Sequence, residues 1–243
     1  MLRTLNRYAL IGSALLLLVS FWNRNALPAH IAFVGALHDE PKQRKVEERP
    51  FSVAYAGVEY AVDPQFDYEL YGMVVSYRQH DGESTMHRRA NDHLNVADVC
   101  VVWSDTAMSP YLGKIDFWNG IFTCNFQTSD DVAWANFKMN QVSNNHLLSA
   151  DPAVRARIDS IRIGDQIRLK GQLASYGAVG GPVRGTSTTR EDAGNGACET
   201  IYVEEFEIIA PALSGWRTAM YLALAVLALN LVLYFTLPYR ANA

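Results

Sequence analysis

Residues 1–38 and 208–243 contain no aspartate or glutamate; all 25 acidic residues lie between Asp39 and Glu207. The chain also lacks a phosphate loop, a GxSxG elbow, an HExxH pair and paired CxxC motifs. Those absences remove the sequence signatures of nucleotide hydrolysis, serine-hydrolase chemistry and the common zinc sites. Basic excess is missing too. With Arg3, Arg7, Arg217 and Arg240 assigned to the ends, 17 of the 21 Lys and Arg face 25 acids in the middle, a net of −8. So acidic a segment is repelled by phosphate backbones, which are bound by clustered Lys and Arg, and nucleic acid is excluded as a partner.

What is present at the ends is apolar. Ala219–Leu237 carries no charge, with Asn230 and Thr236 as its polar interruptions. A hydrocarbon core of about 30 Å needs about 20 apolar residues in a helix, so residues 216–238 read as a transmembrane helix. Trp216, Tyr234 and Tyr239 suit the headgroup layers, and Arg217 and Arg240 bracket the run. Near the start, Tyr8–Trp22 is bounded by Arg7 and Arg24 and is shorter. One reading is the apolar region of a cleaved secretory signal, with Ala29–Ala32 offering small residues for cleavage. The other is an uncleaved signal anchor at 1–24 with Arg24 snorkelling to the far interface, and this is the reading adopted. Either way the segment exports the polypeptide on its C-terminal side. The expected topology is a two-pass protein of a bacterial inner membrane, with both termini cytoplasmic and the central domain periplasmic.

Between the ends, 49% hydrophobic and 19% charged residues over the whole chain argue against wholesale disorder, and the length suits one domain. Residues 25–50, with HDEPKQRKVEERP at 38–50, read as a solvated linker, leaving 51–212 as the domain. FSVAYAGVEYAV and FDYELYGMVVSY alternate like strands with a turn at Asp63-Pro64, and His80–Asn95 reads as a polar loop. VADVCVVW and KIDFWNGIFTCNF read as two further strands. Short helices are expected at Asp130–Gln141, capped by Ser129 or Asp130, and at Asp151–Ile161, with Pro152 in the first turn. IRIGDQIRLKGQLASY alternates most clearly, Gly177–Gly196 is a long loop, and TIYVEEFEII closes the domain. The fold class is therefore mainly β with short helices.

IRIGDQIRLKGQLASY, between a short helix and a long loop with a final strand, resembles the later strands of OB-fold barrels. In those barrels a glycine lets a charged alternating strand bend around a small closed sheet. YELYGMVVSY, NVADVCVVW, SNNHLLS and TSTTREDAGNGACE are similar to segments of bacterial membrane-anchored proteins of uncharacterised function, a likeness spanning nearly the whole chain. The resemblance implies a small OB-like barrel outside the cytoplasm flanked by transmembrane helices. It implies no activity.

Cys100, Cys124 and Cys198 would meet an oxidising environment there. If the strands through Cys100 and Cys124 pair side by side, those two form a disulfide; otherwise all three are buried thiols behaving as small hydrophobes. The six histidines make no metal signature, and His87, Asp92 and His93 read as a solvated loop. Ser143-Asn144-Asn145-His146 reads as a turn between the two helices. Alternatively, Asn145 and His146 join Arg184, Arg190, Asp192, Asn195 and Glu199, together with Glu191, as a polar binding pocket built on the long loop. Thr186, Ser187, Thr188 and Thr189 are hydroxyls with no identified activating base. No catalytic residue, metal or cofactor is assigned. The expected function is an accessory or scaffold protein serving envelope protein partners. Its rivals are an envelope hydrolase using His146 and the 184–199 loop, and a ligand or carbohydrate sensor using exposed Tyr71, Trp103, Trp118 or Trp134.

Overall fold

The two apolar runs are helices: α1 (Leu2–Trp22) and α5 (Gly215–Thr236). They belong to the first of two units in the computed structural model, Met1–Pro28 with Leu213–Ala243. The structure describes residues 2–28, 31–47, 49–80, 88, 91–120, 122–189 and 198–236. Both helices are long and apolar enough to cross a membrane. They pack on each other with their polar residues inward: Asn6, Ser13 and Ser20 of α1, and Arg217 and Asn230 of α5, are buried. Asn6 Nδ2 donates to the Asn230 carbonyl at 3.1 Å. Leucines such as Leu15, Leu18, Leu222 and Leu229 face outward. Small and polar residues inside with leucine outside is the pattern of helices packed in lipid.

The second unit, Ala29–Ala212, mixes helix with a large β-sheet, and 38% of the described residues are strand. β1 (Lys42–Lys45) and β2 (Phe51–Tyr55) both pair antiparallel with β3 (Val58–Gln79), the 22-residue strand around which the unit is built. β1 lies inside the segment expected to be a linker. Its KQRK sequence is an edge strand, where charge deters unwanted pairing and hides the apolar alternation that would reveal a strand. The β2–β3 turn is Ala56-Gly57, with φ of 50° and 79°, the doubly left-handed geometry that suits a two-residue hairpin. Asp63-Pro64, the expected turn, lies within continuous β3. Pro64 is accommodated there at a register shift between Pro64 and Phe66.

β4 (Asn95–Val102) pairs β3 and also β7 (Val142–Leu148). β7 runs parallel to β9 (Cys198–Ala210), β9 pairs β8 (Gln166–Ala178), and β8 pairs β3 from Tyr60 to Met73. The ladder β3–β4–β7–β9–β8 thus begins and ends on β3. Its core holds Leu70, Val99, Val101, Leu147, Ile167 and Phe206. Helix α4 (Pro152–Asp159) adds Val154 and Ile158 to that core. Asp151 caps it, its carboxylate accepting from the Ala153 and Val154 amides at 2.7 and 3.4 Å.

An excursion between β4 and β7 carries α2 (Ser104–Met108), the ribbon β5 (Asp116–Asn119) with β6 (Cys124–Gln127), and α3 (Asp131–Ala135). Cys124 therefore sits on a separate ribbon, not on a strand alongside β4. Asp130 caps α3 by accepting from the Ala133 amide at 2.9 Å. Ser143–His146, expected as a turn, is strand β7. Its polar residues removed the alternation that marks a half-buried strand, yet both faces are covered.

Candidate functional site

Alternation along β4 sends Ala97, Val99 and Val101 to the core and aims Asp98 and Cys100 at the opposite face. Register carries two rows of side chains across that face: Ser76, Cys100, Asn144 and Cys198, then Arg78, Asp98, His146 and Thr200. The β5–β6 ribbon lies over them. A Cys100–Cys124 disulfide fastens it, with Cα atoms 5.5 Å apart. Arg78 Nη1 donates to the Gly120 carbonyl at 2.9 Å, and Asn144 Nδ2 donates to the Phe122 carbonyl at 3.0 Å. Phe122, at φ 60°, stands on the left-handed backbone that L residues seldom adopt.

Asp98 is the electrostatic centre of this face. Its side chain is fully buried, and one carboxylate oxygen takes His146 Nδ1 while the other lies 3.0 Å from His80 Nε2. Burial pushes the carboxyl's pKa upward. Hydrogen bonds from His146 and His80, and their charge, outweigh it and hold the group well below the usual carboxylate range. A buried charge without such partners would cost several kcal/mol, roughly. The bond to Asp98 fixes His146 with its proton on Nδ1. The Phe122 ring closes over both imidazoles, 5.9 Å from His146 and 6.2 Å from His80 between centroids. Arg184 stacks over the Phe122 ring, 3.8 Å from its centre. Asn144 Nδ2 also reaches Cys198 Sγ at 3.3 Å, and burial pushes that thiol's pKa up.

Of the residues expected to form a pocket, His146 and Arg184 meet here through Phe122. Asn145 does not join them. It follows Asn144 on a strand and points to the other face, where its Nδ2 donates to the Val99 carbonyl at 3.1 Å and to Ser143 Oγ at 2.8 Å. Glu199, in register with Asn145, is buried on β9. Arg190, Asp192 and Asn195 lie outside the described residues, as does His87. Asp92 instead accepts from the Tyr176 hydroxyl at 3.0 Å, and the His93 amide donates to the Tyr60 hydroxyl at 2.9 Å. Thr186 and Ser187 spend their hydroxyls on backbone. Among the described residues no group of three His, Cys, Asp or Glu is placed to hold a metal ion.

Asp98, His80 and Phe122 were absent from the expected pocket. One signal stood in VADVCVV, where a lone carboxylate interrupts an apolar strand and must find buried partners. Of the candidate aromatics, Trp103 is core, Trp118 is exposed, and Trp134 is exposed with its ring near Phe126 and Phe137. A separate cleft of about 510 Å³ lies along β1, β3 and β8, lined by Lys42, Arg44, Asp67, Glu69 and Lys170. Its charges are already paired, Arg44 with Asp67 at 2.6 Å and Arg168 with Glu69 at 2.8 Å, as on a solvated sheet face. No protein-family model, curated protein or solved structure matches the chain.

Proposed function

We propose that this protein is a two-pass accessory or scaffold protein of a bacterial inner membrane. Its termini are cytoplasmic, and residues 29–212 form an OB-like barrel displayed in the periplasm to a protein partner in an envelope complex. The strand circuit supports the barrel: the long strand β3 pairing on both sides, α4 between β7 and β8, and β9 parallel to β7. The observation that carries the reading is the Cys100–Cys124 bridge clamping the β5–β6 ribbon over the polar face. A disulfide belongs to an oxidising compartment, and the carboxylate and imidazoles best suited to acid–base chemistry are spent beneath it on one another. What the domain offers outward is a shaped, acidic surface.

Two measurements test this. Protease added to intact spheroplasts should cut within 29–212 while both helices stay shielded, and purification from native membranes in mild detergent should retain a defined envelope protein. A domain cut only after lysis overturns the placement. A solitary protein whose deletion leaves every envelope complex intact overturns the role.

The His146–Asp98 contact favours one rival, an envelope hydrolase with His146 as base. Its weakness is the pairing of base with nucleophile, since Cys198 Sγ engages Asn144 and the Phe122 carbonyl while His146 Nδ1 is taken by Asp98. Ester or amide turnover by the purified chain that disappears in His146→Ala would establish it.

A further inference from the structure

The chain has three cysteines, and the fold brings all of them to one face. Cys100 on β4 and Cys198 on β9 flank Asn144 on β7, each in register with it, so their Cα atoms stand about 10 Å apart at two strand spacings. Cys124 descends onto this row from the ribbon tip. Its bridge goes to Cys100, while the tip residue two positions earlier already leans on the other cysteine: Cys198 Sγ lies 3.5 Å from the Phe122 carbonyl. Asn144 Nδ2 joins the two sides, at 3.3 Å from Cys198 Sγ and 3.0 Å from the Phe122 carbonyl. Cys198 is partly exposed, unlike Cys100.

We propose that Cys100, Cys124 and Cys198 form one thiol–disulfide exchange site in which Cys124 passes between Cys100 and Cys198. The Cys198 thiolate attacks Cys124 Sγ, the Cys124–Cys198 bond forms, the Cys100–Cys124 bond breaks, and the electron pair leaves on Cys100 as thiolate. The proton lost by Cys198 is matched by the one Cys100 takes up, so no outside oxidant or reductant enters. The exchange shifts the ribbon tip from β4 toward β9 and carries Phe122 with it. Phe122 lies against both imidazoles of the Asp98 network, so bridge choice sets how that network is covered.

The groups around Cys198 set the tempo. Burial, and the charges of Glu199 and Asp98, hold its thiol above the ordinary value of 9.0, while the Asn144 amide and Arg184 favour the thiolate. Exchange is therefore slow at neutral pH, and its rate keeps climbing past pH 9.0 instead of levelling there.

The test is a peptide map of the full-length chain in detergent, acid-quenched, alkylated and run without reductant. Wild type held at alkaline pH without added thiol is expected to show a growing Cys124–Cys198 peptide with Cys100 alkylated in equal amount. Cys100→Ser, refolded in a glutathione buffer, is expected to carry Cys124–Cys198 as its sole bridge. A folded Cys100→Ser chain in which Cys124 and Cys198 both stay alkylatable, or take up glutathione separately, overturns the proposal. So does wild type that retains only Cys100–Cys124 at every time and pH, which serves if the variant does not fold. The inference draws on the periplasmic reading for its setting. The map reads sulfur chemistry in purified protein and the spheroplast experiment reads placement, so either can fail alone.

Discussion

Asp98 carries more of the site than any other residue, because among the described residues it is the one carboxylate that two imidazoles share on a covered face. Asp98→Asn keeps the shape and removes the charge, and one imidazole then meets an amide N–H where it had an acceptor. The expected cost is about 3 kcal/mol, the scale for breaking a buried ion pair by removing one partner. The midpoint of denaturant unfolding, followed by near-UV circular dichroism, checks it. The pH dependence has a definite sign. A folded pKa depressed below the ordinary 3.8 means that the unfolded chain binds the proton more readily. The stabilisation is thus fully present above about pH 5 and drains away as pH falls through 3.8 toward the depressed folded value. Asp98→Asn should flatten that acid limb, and an unchanged limb would assign the acid sensitivity to other carboxylates. Ala56 offers a gain instead. It holds φ 50° at the first turn position, where an L residue with a Cβ is strained. Ala56→Asn creates Asn-Gly in a two-residue hairpin and should raise stability by about 0.5–1 kcal/mol, read as a higher melting temperature.

At the scale of elements, Gly171 marks where β8 must bend. A Cβ there would stand 2.1 Å from the Tyr202 carbonyl oxygen and 3.0 Å from Val203 Cα, beside the register shift between Lys170 and Gly171. Both neighbours are backbone, so β9 would have to move. Gly171→Ala is expected to cost about 3 kcal/mol or more, at the upper end for overpacking, and thermal melting of the purified chain would read it. This glycine was legible beforehand, as were α4, β8 and β9, because alternation and capping write themselves into local sequence. β7 was not. VSNNHLL has polar residues facing both ways, since the ribbon covers one face and Asn145 bonds the Val99 carbonyl on the other. The His80–Asp98–His146 contact was hidden for the same reason: its members come from β4, β7 and the residue that follows β3, whose register no local pattern reveals. KIDFWNGIFTCNF likewise read as one strand, because the bend at Gly120 depends on its anchorage to Arg78 and to the disulfide.

At the scale of the whole molecule, charge and apolarity are separated along the sequence. Carboxylates are confined to 39–207, and the helices invert the usual burial, with leucine outward and asparagine inward. On the proposed membrane placement such helices would gain nothing from hiding leucine, since lipid solvates it as well as protein does; their attraction would rest on packing and on polar contacts such as Asn6 with the Asn230 carbonyl. Asn6→Leu removes that bond while leaving mean hydropathy higher, so insertion should improve as the pairing of α1 with α5 weakens. The expected loss is about 0.6–1.7 kcal/mol, measured as a lower SDS fraction at the midpoint of helix separation. Melting of the 29–212 unit should stay unchanged, because its core shares no residue with the helix pair. If Asn6→Leu shifted both transitions together, the two units would unfold as one, and the helices would be part of the domain's stability.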